Sequence, residues 1–269
     1  MPELPEVEIT RRGIEPHLKG RTITGVEVRE PRLRWAVPSE VAGLTGCTIL
    51  SVKRRGKYIL LDCGRGSLIL HLGMSGSLRI VQPGELPAKH DHFDLTVGKR
   101  MLRLRDPRRF GAVLWTGDDP QAHKLLVNLG VEPLSAAFNA KLLHALSRGH
   151  RVAIKNFLMD AKNVVGVGNI YANESLYRAG IRPSTPAGRV SAARCAKLVA
   201  QVKQTLEEAI RAGGSSLRDF VQSDGSSGYA QQNYWVYGRT GEPCRTCGTP
   251  IRRTVMGQRA TFHCSVCQK

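Results

Sequence analysis

Apolar and polar positions follow three different rhythms along the 269 residues. Residues 2–18 carry the pattern of an amphipathic helix, and Gly20 stops it. From residue 21 to about 116 the rhythm becomes that of short strands, at 22–28, 48–54, 58–62, 67–72, 77–81, 93–97, 101–105 and 112–116. Gly and Pro punctuate these runs, which predicts an antiparallel sandwich or flattened barrel. After Pro120 the period turns helical, with helices expected at 122–129, 140–146, 151–160, 169–179 and 192–211. A Gly/Ser-rich stretch over 213–228 follows, interrupted by Leu217-Arg218-Asp219-Phe220, and reads as a functional loop or a plain linker. The tail, 237–269, reads as a small β-hairpin with few apolar residues of its own.

Cysteine placement explains how such a tail could fold. Of seven cysteines, four form two pairs, Cys244-Arg-Thr-Cys247 and Cys264-Ser-Val-Cys267, separated by the 16 residues 248–263. That spacing suits a structural zinc site of four thiolates, and metal would then stabilise the hairpin. Two disulfides are the alternative. Cys47, Cys63 and Cys195 lie in apolar stretches and read as ordinary buried or partly buried thiols. No apolar run reaches the length of a membrane span. The acidic, proline-rich start is unlike a secretory leader. A cytoplasmic, nucleoid-associated protein in a reducing compartment is expected, which disfavours disulfides.

Charge names the class of partner. Lys plus Arg number 40 against 22 Asp plus Glu, a formal net charge of +18. Such an excess points to a polyanion, most often nucleic acid, over a generic basic surface.

The chain opens Met1-Pro2-Glu3-Leu4-Pro5-Glu6. Pro in a first helical turn with acidic neighbours is a good helix start. The same residues have a second reading. Once Met1 is clipped, Pro2 carries a secondary amine. An α-amino group titrates near ~8, against ~10.4 for lysine, so a neutral fraction exists at pH 7. A neutral amine can attack an aldehyde-like carbon and form an iminium.

Six motifs then recur in order: Pro2-Glu3-Leu4-Pro5-Glu6, Arg54-Arg55-Gly56-Lys57-Tyr58, His71-Leu72-Gly73-Met74-Ser75-Gly76, Asp106-Pro107-Arg108-Arg109-Phe110-Gly111, Val165-Gly166-Val167-Gly168-Asn169-Ile170-Tyr171 and Gln258-Arg259-Ala260-Thr261-Phe262. Together they closely resemble the bacterial formamidopyrimidine-DNA glycosylase family, over essentially the whole chain. The resemblance implies an α+β fold: an N-terminal helix and antiparallel β-sandwich domain over 1–131, a helical domain with a helix-two-turn-helix over 132–236, and a zinc-finger β-hairpin over 237–269. It implies one structural zinc ion held by Cys244, Cys247, Cys264 and Cys267. The partner is then duplex DNA containing oxidised bases, bound in a cleft by a monomer.

The implied roles follow residue by residue. Pro2 is the nucleophile and Glu3 the acid/base that opens the sugar ring. Glu6 supports Glu3, and two adjacent carboxylates tend to split their pKa values. Lys57, on a hairpin turn, assists β-elimination. Arg259 binds lesion-strand phosphate and serves δ-elimination. His90, Arg151, Lys155 and Asn169 contact DNA. A base that undergoes chemistry must leave the stack, and Met74, Arg108 and Phe110 fill the void, with Arg108 facing the orphaned base. Arg109 packs or pairs internally, and residues 216–229 cap the everted base. Core packing is the alternative for Met74 and Phe110. The implied reaction excises 8-oxoguanine and formamidopyrimidines, then cuts the strand by β,δ-elimination.

Two rivals remain. An endonuclease VIII-like pyrimidine glycosylase shares Pro2, Glu3, a lysine and a zinc finger, but usually has Gly at the place of Leu4 and lacks the Met74, Arg108, Phe110 set. A non-catalytic zinc-ribbon DNA-binding protein would make the Pro2-Glu3 start accidental.

Overall fold

The computed structural model describes residues 2–214 and 234–269. The expected capping segment, 216–229, lies outside the described residues. The chain divides into two units; among described residues the first holds 2–128 with 212–214 and the second 129–211 with 234–269.

The first unit begins with α1 (Leu4–Leu18). Glu3 and Glu6 form a capping box: the Glu3 N–H donates to Glu6 Oε2 at 2.8 Å, so an orphan amide of the helix start is satisfied internally. Leu4, Val7, Ile14 and Leu18 form the buried stripe of α1. Eight strands follow: β1 (Gly25–Val28), β2 (Ser51–Arg55), β3 (Tyr58–Asp62), β4 (Ser67–His71), β5 (Ser77–Val81), β6 (Asp91–Val97), β7 (Arg100–Arg105) and β8 (Ala112–Thr116). They make two four-stranded antiparallel sheets, ordered β1-β6-β7-β5 and β2-β3-β4-β8. Alternate residues of both sheets enter one core: Ile59 and Leu61 of β3 and Leu68 and Leu70 of β4 join Phe93 and Leu95 of β6 and Leu102 and Leu104 of β7. Val7, Ile14 and Leu18 of α1 belong to that core, which anchors the Pro2-Glu3 start to the sandwich. Each such side chain contributes roughly 1.5–3 kcal/mol by leaving water.

Arg103 of β7 is 1% exposed. A buried guanidinium is tolerated only when paired and fully hydrogen-bonded. Here it meets both carboxylate oxygens of Asp94 at 2.9 Å and donates to the carbonyls of Leu86 and Glu85. Those last bonds tie the segment leading to His90 onto the sheet.

The second unit contains α2 (Ala140–Ser147), capped by Asn139, then α3 (Ile154–Met159), α4 (Asn169–Ala179) and α5 (Ala192–Arg211). Gly180, at φ +68°, closes α4 in the left-handed conformation that favours glycine. The hairpin of β9 (Arg252–Met256) and β10 (Arg259–His263) completes the unit.

Two expected elements differ from what forms. The helix expected over 122–129 is absent; a 3₁₀ turn at Pro120–Ala122 precedes irregular turns. Leu126 is the one apolar residue buried in that stretch, too little to hold a helix face against the core. The helix expected over 151–160 shortens to Ile154–Met159, because Ile154 N–H donates to the Thr185 carbonyl and Ala153 bridges Pro186. Tertiary pairing thus claims the backbone of its first turn.

Candidate functional site

Two groups of residues gather the expected chemistry, one in each unit.

In the first unit, Pro2 and Glu3 are buried at the start of α1. Glu6 is fully buried and its carboxylate accepts the Glu3 N–H, so its support of Glu3 is geometric. Lys57 follows Gly56 in a two-residue turn between β2 and β3, where Arg55 pairs with Tyr58. Gly56 has φ +57°, which such a hairpin turn demands at its first position. Arg54 fastens this turn to α1: it meets Glu8 at 3.1 Å and donates to the Gly56 carbonyl at 2.9 Å. The helix that carries Glu3 and the turn that carries Lys57 are therefore joined by one guanidinium.

Beside Lys57 stands His71, at the end of β4 opposite Tyr58, the two rings 4.7 Å apart. Burial lowers its pKa to about 4, and the charges of Lys57 and Arg34 add to the effect. The Gly73 N–H donates to Nδ1 at 3.1 Å. The ring is therefore neutral at pH 7 with its proton on Nε2, a hydrogen-bond donor.

Met74 and the Arg108–Phe110 pair are brought together by a clasp between two loops. A Cβ on Gly73 would lie 2.3 Å from the Phe110 carbonyl carbon, and Gly73 has φ +63°, so only glycine fits. Next to it, Asp106 accepts from Ser75 Oγ at 2.9 Å and from the Gly111 N–H at 2.6 Å. Met74 is half-buried, Arg108 is exposed, and Phe110 is 41% exposed. Phe110 is thus no core aromatic. The Arg108 guanidinium sits 4.8 Å above the Phe110 ring, a cation–π contact that holds the two exposed side chains together. Arg109 pairs with Glu30 at 3.0 Å, the internal role expected for it. His90, at φ +75°, accepts the Asp106 N–H on its carbonyl and so lies beside the same loop.

In the second unit, Asn169 opens α4 after Gly166, at φ +80°, and Gly168. Arg151 is exposed just before α3. Lys155 is not at the surface: it is fully buried, and its amine donates to the Ala260 carbonyl at 3.0 Å and to Thr261 Oγ1 at 2.7 Å. Asn169 Nδ2 donates to the same Ala260 carbonyl at 3.0 Å. Lys155 therefore holds the hairpin strand that carries Arg259. Arg259 is exposed, directly after the Gly257–Gln258 turn, whose φ angles of +53° and +60° mark the tight two-residue type.

The cysteines pass a geometric test for zinc. All four sulfurs lie within 4.8 Å of one another. Cys244 and Cys267 are 3.9 Å apart, and Cys247 and Cys264 are 3.5 Å apart. Four Zn–S bonds of about 2.3 Å in a tetrahedron place sulfurs ~3.8 Å apart, whereas a disulfide needs about 2.05 Å. Burial opposes the Cys244 thiolate, but hydrogen bonds from Tyr177 and from the Thr246 and Cys247 amides outweigh it and lower the pKa to about 6. Cys63, by contrast, is buried away from the site and pushed up to about 11 by that burial.

Comparison with known proteins agrees with this geometry. Three family models match in order: the formamidopyrimidine-DNA glycosylase N-terminal domain over residues 1–113, its H2TH domain over 129–221, and a zinc finger found in FPG and IleRS over 241–269. The formamidopyrimidine-DNA glycosylase of Aromatoleum aromaticum is 58% identical over the full length of both chains. The chain belongs to the formamidopyrimidine-DNA glycosylase family. Its fold is that of solved members. The Lactococcus lactis Fpg bound to abasic-site DNA superposes with a TM-score of 0.89 at 34% identity, over 99% of each chain. A MutM in complex with carbocyclic 8-oxo-G DNA superposes at 0.90 and 34% identity, over all of each chain. The family is one of glycosylases with abasic-site lyase activity, and its zinc finger, present here with all four cysteines, takes one zinc ion.

Sequence reasoning passed over three residues. His71 lies in the third motif with no role that the motif itself assigns, and only the β3–β4 register brings it beside the Lys57 turn. Arg54 looked like one more basic hairpin residue. Tyr177 carried a helical apolar pattern that hid its hydroxyl.

Proposed function

We propose that this protein excises 8-oxoguanine and formamidopyrimidines from duplex DNA and then cleaves the strand, using the residues assembled above. One observation carries the reading: the buried Pro2-Glu3 helix start and the Lys57 turn are bound to each other through Arg54 and Glu8, inside a chain that matches the family end to end. After loss of Met1, the Pro2 nitrogen attacks C1′ of the everted nucleotide and the bond to the base breaks. Glu3 protonates the ring oxygen as the C1′–O4′ bond opens, leaving an iminium between Pro2 and C1′. The iminium acidifies the C2′ protons. Removal of one expels the 3′ phosphate, and a second elimination expels the 5′ phosphate, leaving a one-nucleotide gap. Lys57 and Arg259 stabilise the departing phosphates as cations. His90, Arg151 and Asn169 hold the backbone, and Met74, Arg108 and Phe110 occupy the vacated stack.

The rest of the proposed setting is a monomer in the bacterial cytoplasm, associated with the nucleoid. Among described residues no helix is long and apolar enough to cross a membrane.

Borohydride trapping tests the chemistry. Reduction of the iminium should join protein to abasic or 8-oxoguanine DNA, and peptide mapping should put the link on the Pro2 nitrogen. Attachment at Lys57 would overturn the assignment of nucleophile. Glu3→Gln should bind lesion DNA but excise slowly.

A further inference from the structure

Helix α4 meets the zinc hairpin along one stripe. Asn169, Asn173 and Tyr177 are four residues apart and stand on one helical face. Asn169 donates to the Ala260 carbonyl, and Asn173 Oδ1 accepts from the Phe262 N–H at 2.8 Å. These two contacts hold backbone. The third reaches a metal ligand: Tyr177 Oη lies 3.1 Å from Cys244 Sγ and 2.7 Å from Thr246 Oγ1.

Valence fixes the direction of both bonds. A zinc-bound thiolate carries no proton and can only accept. The Tyr177 hydroxyl must then donate its single proton to Sγ, and its oxygen accepts from Thr246. The ring cannot easily turn away. It is 7% exposed and stacks on Trp235 at 5.7 Å with 21° between planes. The segment beyond Trp235 is itself held by Glu174 of α4, whose buried carboxylate accepts the backbone N–H groups of Trp235, Val236 and Tyr237 at 2.8–3.0 Å. A tyrosine is larger in its demands than packing alone requires, since a phenyl ring would fill the same stack without a buried hydroxyl to satisfy.

We propose that Tyr177 is a positioning residue of the zinc centre, whose hydroxyl stabilises the Cys244 thiolate and locks the zinc hairpin to the helix that begins at Asn169. Loss of zinc starts with a proton or an electrophile reaching a thiolate lone pair. The lone pair that accepts from Tyr177 is withheld from that attack. Outer hydrogen bonds of this kind are worth roughly 10–100-fold in metal affinity.

The test uses the full-length zinc-loaded protein and reads metal, not DNA cleavage, so it is independent of the excision chemistry proposed above. Zinc transfer to a chromophoric chelator is timed for wild type, Tyr177→Phe and Thr246→Val. Tyr177→Phe keeps the stack on Trp235 and removes only the donor; transfer should accelerate roughly 10-fold. In the cobalt-substituted proteins the sulfur-to-metal charge-transfer band should move to lower energy, because the sulfur lone pair is no longer stabilised. Thr246→Val leaves the hydroxyl but removes the group that orients it, and should shift both readouts less and in the same direction. Equal transfer rates and an unmoved band in Tyr177→Phe would overturn the proposal. Should that variant not fold, Thr246→Val decides: wild-type rates and spectrum there count against it.

Discussion

Lys155 and Arg151 are both basic residues of the α3 region, and burial separates their roles. Arg151 is exposed, whereas the Lys155 amine is sequestered beneath Ala260 and Thr261. Replacing Lys155 by Met leaves two acceptors short of a charged donor, a loss of about 1.5–3 kcal/mol of stability. DNA affinity should fall as well, because β10 and Arg259 lose support, but the slope of log affinity against log salt should stay as in wild type. Arg151→Ala should instead reduce that slope by about 0.9, one released counterion. A reduced slope in Lys155→Met would mean that the amine reaches phosphate itself. His71 gives a second residue-level expectation, on pH. Its pKa is about 4 in the folded protein, below the ~6.5 of an unfolded histidine. Between those values the unfolded chain binds the extra proton, so stability is complete above about pH 6.5 and is lost as pH falls towards 4. Urea unfolding of wild type and His71→Phe at pH 7 and pH 4.5 should show a smaller pH loss in the variant. An identical loss would mean that His71 does not titrate as described.

At the scale of elements, the loops after β4 and β7 work as one unit because Gly73 and Asp106 clasp them. Gly73→Ala pushes a Cβ into the Phe110 carbonyl and strains a backbone at φ +63°, so it should cost about 1–3 kcal/mol and misplace Met74 and Phe110 together. Arg108→Ala leaves the clasp intact. In its proposed role Arg108 donates to the orphaned base, so its loss, worth about 1–3 kcal/mol, should narrow the preference for cytosine opposite 8-oxoguanine. Activity ratios measured across the four opposite bases decide this; an unchanged ratio would remove Arg108 from that role. Much of this was legible in advance. Short apolar-rich runs punctuated by Gly and Pro marked the strands β3, β4, β6 and β7, the Cys pairs announced the zinc site, and flanking glycines marked Met74 as a loop position, where it is half-buried. The span 122–129 misled because three or four apolar residues at helical spacing look alike whether or not a core receives them. Lys155 misled for the opposite reason: a lysine in a basic region reads as solvent-facing, and only the fold supplies the carbonyl and hydroxyl that bury it. Hydroxyl and imidazole roles, as at Tyr177 and His71, depend on partners many residues away, which periodicity cannot show.

At the scale of the molecule, the two units keep separate cores, and that separation predicts what zinc removal does. The sandwich core draws on α1 and the eight strands of residues 2–128 and includes no residue of the hairpin. The hairpin's own cluster consists of Tyr177, Val236, Cys244, Ile251, Phe262 and Cys264, two of which are zinc ligands. So small a cluster cannot hold its shape without metal. Chelation should therefore raise hydrogen exchange across 244–267 and along the α4 face that binds it, while β3, β4, β6 and β7 stay protected. DNA affinity should fall sharply, since Arg259 and Asn169 both depend on the hairpin's placement of Ala260, even though the +18 charge that attracts DNA is still present. Attraction without placement gives weak, salt-sensitive, lesion-blind binding. Hydrogen exchange with mass readout, run beside lesion and undamaged duplex binding before chelation, after it and after zinc is returned, separates these outcomes. Full lesion preference after verified metal loss would show that the hairpin is not what positions these residues, and loss of protection in the sandwich would show that the two cores are coupled.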